Sequence, residues 1–223
     1  MSPVEIRGPE GRLEARLDEP AEARRVNSEG RLAAPHASGL RAAAVLAHPH
    51  PQSGGTMHTK ALYQAAKGLS RIGCAVLRFN FRGAGASAGS FSGGPGEMAD
   101  CRAAIDFMHD RFPQAHLWCG GMSFGAWIGL TVGADDPRVS TLIGIAPPLS
   151  RYDFEAVRLS PKPKFFIQGE FDDICPSKDM RAFYAQAAEP KELVVIDGAD
   201  HLFDGKVSEV ADAVEDLLGD WNE

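Results

Sequence analysis

The stretch Leu117–Val132, LWCGGMSFGAWIGLTV, decides the fold. A short apolar run, Leu117 to Cys119, leads into Gly121-Met122-Ser123-Phe124-Gly125, and a helix-like segment, Ala126 to Val132, follows. A serine on a tight strand-to-helix turn, flanked by residues too small to clash, presents its hydroxyl as a nucleophile. In a chain with 24 glycines the five-residue pattern alone is weak. Its weight comes from the strand before it, the helix after it, and an acid and a histidine downstream in the order such a turn requires.

Outward from this turn, short apolar runs alternate with helical patterns. Ala42 to Leu46, Ala75 to Phe79, Leu142 to Ile145, Phe165 to Ile167 and Leu193 to Ile196 suit strands of a parallel sheet buried on both faces. Between them, Leu62, Ala65, Leu69 and Ile72 line one face of a helix, as do Met98, Cys101, Ile105, Met108 and Phe112, and later Val207, Val210, Val214 and Leu217. The helix after Ser123 is apolar almost all round, through Ala126, Trp127, Ile128, Leu130 and Val132, and is expected to be the most buried. Val4 to Arg7 and Arg12 to Leu17 flank the turn signal Gly8-Pro9-Glu10-Gly11 and read as an N-terminal antiparallel hairpin. Asp18 to Leu40 has no period and reads as an irregular excursion. The expectation is one α/β domain over 1–223, with about eight strands in a mostly parallel twisted sheet and helices on both faces.

Composition narrows the function classes. With 23 basic and 30 acidic residues, a net charge of −7 and no Lys/Arg cluster, a nucleic-acid footprint is missing. No stretch approaches the ~20 apolar residues that cross a bilayer, and Met1 to Leu17 does not read as a signal peptide. A cytoplasmic protein without membrane partners is expected, its oligomeric state open between monomer and homodimer. Cys74, Cys101, Cys119 and Cys175 are widely spaced and read as buried thiols.

The chemistry-bearing residues each follow a strand. Gly169-Glu170-Phe171-Asp172-Asp173 comes after Phe165 to Ile167, and Asp200-His201 comes after Leu193 to Ile196. A serine hydroxyl needs a base titrating near the working pH, which histidine supplies. His201 is expected to take the Ser123 proton. A carboxylate on the other ring nitrogen fixes the tautomer; Asp172 is favoured and Asp173 is its rival, with Glu170 and Asp200 weaker. For the oxyanion, backbone N–H donors are expected from Phe124 and from the loop His48-Pro49-His50-Pro51-Gln52-Ser53-Gly54-Gly55. Pro49 and Pro51 have no N–H, so the donor is His50 or lies later in the loop, and His50 is chosen. His48, His50 and His58 invite a metal reading, but no cysteine or acidic cluster completes the set. Gly83-Ala84-Gly85-Ala86-Ser87-Ala88-Gly89 lacks dinucleotide-loop spacing and reads as a structural connection, with Asn80, Arg82 and Ser87 placed at the site's rim. No cofactor and no metal are expected.

Taken together, Leu46-Ala47-His48-Pro49-His50-Pro51 with Gly54-Gly55-Thr56-Met57, Asn80-Phe81-Arg82-Gly83 with Gly85 and Ser87, Gly121 to Gly125, Gly169 with Asp172 and Pro176, and Asp200-His201 resemble the α/β-hydrolase superfamily. From about Leu40 onward the chain is most similar to small lidless bacterial serine hydrolases related to dienelactone hydrolases. The resemblance implies Ser123 as nucleophile, His201 as base and Asp172 as acid, since the family's acid usually lies three residues after the glycine ending its strand. Dienelactone hydrolases often carry a cysteine nucleophile, so the serine here argues against a dienelactone substrate. Only Leu149 to Lys164 separates the strands where a cap would be inserted, leaving no room for one. The expected activity is hydrolysis of small or exposed carboxylic esters, or thioesters, through an acyl-enzyme; amide, lactone or C–C cleavage, acyl transfer and a non-catalytic binding role are the alternatives. Met122, Phe124, Leu149, Tyr152, Phe154, Ile174 and Leu202 are the expected pocket-shaping side chains.

Overall fold

The computed structural model describes residues 2–20 and 39–221. The greater part of the 18–40 excursion lies outside the described residues. Eight strands form one sheet: β1 (Ser2–Gly8), β2 (Gly11–Asp18), β3 (Ala42–Ala47), β4 (Ala75–Phe79), β5 (His116–Met122), β6 (Val139–Ile145), β7 (Lys164–Gly169) and β8 (Lys191–Ile196). Their spatial order is β1-β2-β4-β3-β5-β6-β7-β8. The β1–β2 hairpin is antiparallel and docks antiparallel on β4, while all later pairings are parallel.

Six helices cover the faces: α1 (Lys60–Arg71), α2 (Pro95–Arg111), α3 (Phe124–Asp135), α4 (Glu155–Leu159), α5 (Ser177–Gln186) and α6 (Val207–Leu218). Two cores result because β3 to β7 are apolar on both sides. One packs α1 and α6 through Leu62, Leu69, Val210 and Val214 against Ala44, Leu46 and Ile143. The other packs α2 and α3 through Ile105, Met108, Ile128 and Leu130 against Val45, Leu77 and Cys119. The helix after Ser123 buries eight of its twelve residues, as its all-round apolar sequence predicts. No helix among the described residues is long and apolar enough to cross a membrane.

The strand order positions the site. From β3 the chain crosses to β4 on one side, and from β5 to β6 on the other, so the loops leaving the adjacent carboxyl ends of β3 and β5 diverge and open a crevice. The connection from β6 to β7 carries only the five-residue α4, so no cap folds over that crevice.

Candidate active site

Ser123 lies between the last residue of β5 and the first of α3 with φ +54°, a conformation that L side chains rarely adopt. The turn is held by the Ser123 N–H donating to the Ile145 carbonyl at 2.9 Å, and by Ala126 N–H donating back to the Ser123 carbonyl at 2.8 Å. Glycine is required on either side for space. A Cβ at Gly121 would overlap the Ala47 carbonyl and the Gly125 backbone, and one at Gly125 would overlap the Ala47 and His48 carbonyls.

The downstream residues converge on this turn. The Ser123 hydroxyl donates to His201 Nε2 at 3.0 Å, and His201 Nδ1 donates to Asp172 Oδ2 at 2.8 Å. An ionised carboxylate only accepts, which places the ring proton on Nδ1 and leaves Nε2 as the acceptor. All three side chains are buried, at 8%, 7% and 4% exposure. Asp173, the rival acid, points to solvent.

Asp172 is fixed by more than histidine. Its Oδ1 accepts from the Ile174 and Cys175 N–H groups at 3.0 and 2.7 Å, and its Oδ2 also accepts from Gln168 Nε2 at 3.0 Å. Gln168 is fully buried near the end of β7 and donates in addition to the Cys175 carbonyl at 2.7 Å. Sequence reasoning missed it; the available signal was an amide at the end of a run of apolar strand residues.

Asp172, Cys175 and His201 bring three metal-type donor atoms within 4.8 Å of one another. Their chemistry does not suit a metal. Both Asp172 oxygens and His201 Nδ1 are committed to hydrogen bonds, and burial, with the Asp172 charge beside it, pushes the Cys175 thiol up to about 12. Of the histidines after β3, His48 is likewise spent. His48 is fully buried, donates from Nδ1 to the Pro49 carbonyl at 2.6 Å and accepts the Phe81 N–H on Nε2 at 3.0 Å. Burial holds its pKa down at about 4, so this imidazole is a neutral brace beneath the loop. His50 packs its ring against Phe91 and Phe124, with centroids 4.8 and 5.0 Å apart.

Neither the Phe124 nor the His50 N–H donates a hydrogen bond among the described residues. Phe124 is the first residue of α3, where backbone donors have no intrahelical partner and the helix dipole favours negative charge. Both residues line a cavity of about 380 Å³ together with Ser123 and His201. Of the pocket-shaping side chains expected from sequence, Phe124, Tyr152, Ile174 and Leu202 line it. Met122, Leu149 and Phe154 pack in the cores instead, because β5 and the α4 approach turn them inward. Arg151, Ser53 and Thr59 line it and were not anticipated.

Asn80, Arg82 and Ser87 do not form the rim expected of them. Arg82 is buried on Asp100, with Nη2 to Oδ1 at 2.8 Å, and also reaches Glu10 on the hairpin turn. Asn80 donates to Glu14 and Ser87 to the Asn80 carbonyl, so the three tie the Gly-rich loop to β2 and α2. Their polar groups are consumed in holding loops, which leaves none for the cavity.

The sheet order, the serine at positive φ between β5 and α3, and the uncapped crevice define an α/β hydrolase. More particularly, residues 41–160 match the family described as serine aminopeptidase, S33, and the chain belongs to that family within the α/β-hydrolase superfamily. An uncharacterized protein of Rickettsia prowazekii is 34% identical over 98% of this chain and 89% of its own length. An α/β serine hydrolase homologue from Coxiella burnetii superposes with a TM-score of 0.85 at 32% identity, covering 97% of each chain. A Xanthomonas campestris serine hydrolase described as lacking a lid superposes with a TM-score of 0.84 at 31% identity, covering 97% of this chain and 93% of its own.

Proposed function

We propose that this hydrolase cleaves small carboxylic esters through an acyl-enzyme on Ser123. The observation that carries the reading is the continuous hydrogen-bond chain from Ser123 Oγ through His201 to Asp172, with Ser123 and His201 lining an uncapped cavity. His201 Nε2 takes the Ser123 proton as Oγ attacks the ester carbonyl carbon, and the Asp172 carboxylate stabilises the imidazolium that forms. The Phe124 and His50 N–H groups receive the tetrahedral oxyanion, an interaction that for one donor is typically worth about 10²–10³ in rate. Collapse of the intermediate expels the alcohol, which takes its proton from His201. Water then gives a proton to His201 and attacks the acyl carbon; the acid leaves and the proton returns to Ser123 Oγ. Thioesters fit the same sequence, with a thiol as leaving group.

Steady-state hydrolysis of p-nitrophenyl acetate tests this. Replacing Ser123 with Ala is expected to lower kcat by about 10⁴-fold or more, while the protein keeps its fold by circular dichroism. Turnover by the folded alanine variant at the parent rate rejects the mechanism.

A further inference from the structure

Among the Asp, Glu, Lys and Arg side chains of the described residues, one lines the cavity, and it is a cation. Arg151 lines the cavity together with Pro148 and Tyr152, and with Ile174 and Leu202 from the acid and base loops. No carboxylate ion-pairs with its guanidinium among the described residues, and no carboxylate lines the cavity, although the chain carries 30 acidic residues. By contrast, Arg78, Arg82, Arg138 and Arg158 each hold an acidic partner. The Arg151 charge also reaches the acid loop, where it opposes the rise of the Cys175 thiol. Its backbone is anchored through its N–H to the carbonyl of Pro148, another lining residue, at 3.0 Å.

We infer that Arg151 makes this site selective for esters that carry a carboxylate on the acyl portion, such as half-esters of short dicarboxylic acids. The inference rests on the ester-hydrolase reading above and adds the substrate class. A guanidinium presents paired N–H donors that match a carboxylate, and charge-assisted bonds of this kind are stronger than neutral ones. The apolar side chains Ile174, Leu202 and Tyr152 then accommodate the few methylenes between the ester carbonyl and that carboxylate. Because Arg151 is exposed at the cavity mouth, part of the attraction is screened by salt.

The test compares p-nitrophenyl butyrate with the p-nitrophenyl half-ester of glutaric acid, and reads the ratio of their kcat/KM values in the intact protein. The parent is expected to favour the half-ester at low salt, with a preference that shrinks at 0.5 M NaCl. Arg151→Gln is expected to lower the ratio by about tenfold, and Arg151→Glu to lower it further, while Arg151→Lys restores part of it. Free glutarate is expected to inhibit the parent competitively and the Arg151→Glu variant far more weakly. A ratio that is the same in all four proteins, or a parent that prefers the butyrate at low salt, overturns the inference. Neither result touches the ester-hydrolase reading, which fails only if the neutral ester is not cleaved through Ser123.

Discussion

At the scale of single residues, adjacent acids separate by environment. Asp172 and Asp173 are equivalent by type, and only burial with four hydrogen-bond donors sets Asp172 apart. Asp172→Asn is expected to lower kcat by roughly 10³–10⁴-fold through loss of the correct histidine tautomer, whereas Asp173→Asn stays within a few fold of the parent. Equal losses in both variants would reassign the acid. Gln168→Leu removes a neutral donor from the oxygen that orients His201, and the expected loss in kcat is about tenfold at unchanged KM. A second residue ties the site to stability. His48 stays neutral in the fold down to about pH 4, while the unfolded chain takes up its proton near the ordinary 6.5. The stability contributed by keeping it neutral is therefore full above about pH 6.5 and declines as the pH falls toward 4, by up to about 3 kcal/mol. Urea midpoints at pH 7.5 and 4.5 are expected to differ less in His48→Gln than in the parent. An identical acid loss in both would remove His48 from the account.

Among the elements, legibility followed apolar periodicity. The central strands could be read because β3 to β7 are buried on both faces, and α1, α2 and α6 because each shows an apolar stripe. α5 escaped because its apolar face is one turn long, Met180 with Phe183 and Tyr184, and of these only Met180 is fully buried. The loops were harder still: Arg82 has the composition of a site residue, but its guanidinium is spent on Asp100 and Glu10. Close backbone approach is the other property that elements reveal. Gly125 lets α3 press against the end of β3, and Gly68 lets α1 approach α6, where a Cβ would lie 2.6 Å from the Ala211 carbonyl. Ala at either position is expected to cost about 1–3 kcal/mol in denaturant unfolding. Only Gly125→Ala is expected to lower kcat as well, since it displaces the turn that carries Ser123. Comparable activity losses in both would show that the site depends on general stability rather than on the packing of that turn.

For the whole molecule, the topology gathers at one crevice residues as far apart in sequence as His50 and His201. The order of the strands made that convergence legible, while the cavity's depth and lining depended on side-chain directions that no spacing encodes. On the proposed ester-hydrolase reading, the uncapped cavity of about 380 Å³ is matched to a short acyl group. Across p-nitrophenyl esters, kcat/KM is expected to be highest for acetate to butyrate and to fall by at least tenfold at dodecanoate. A rise with chain length would contradict the small-ester reading.

The most direct measurement is the mass of the protein caught during turnover. After rapid acid quenching with an activated short-chain ester, intact mass and peptide mapping are expected to find one acyl group per chain on Ser123 and none in Ser123→Ala. Ester turnover with Ser123 unmodified, or an acyl group on another residue that persists in Ser123→Ala, would contradict the account.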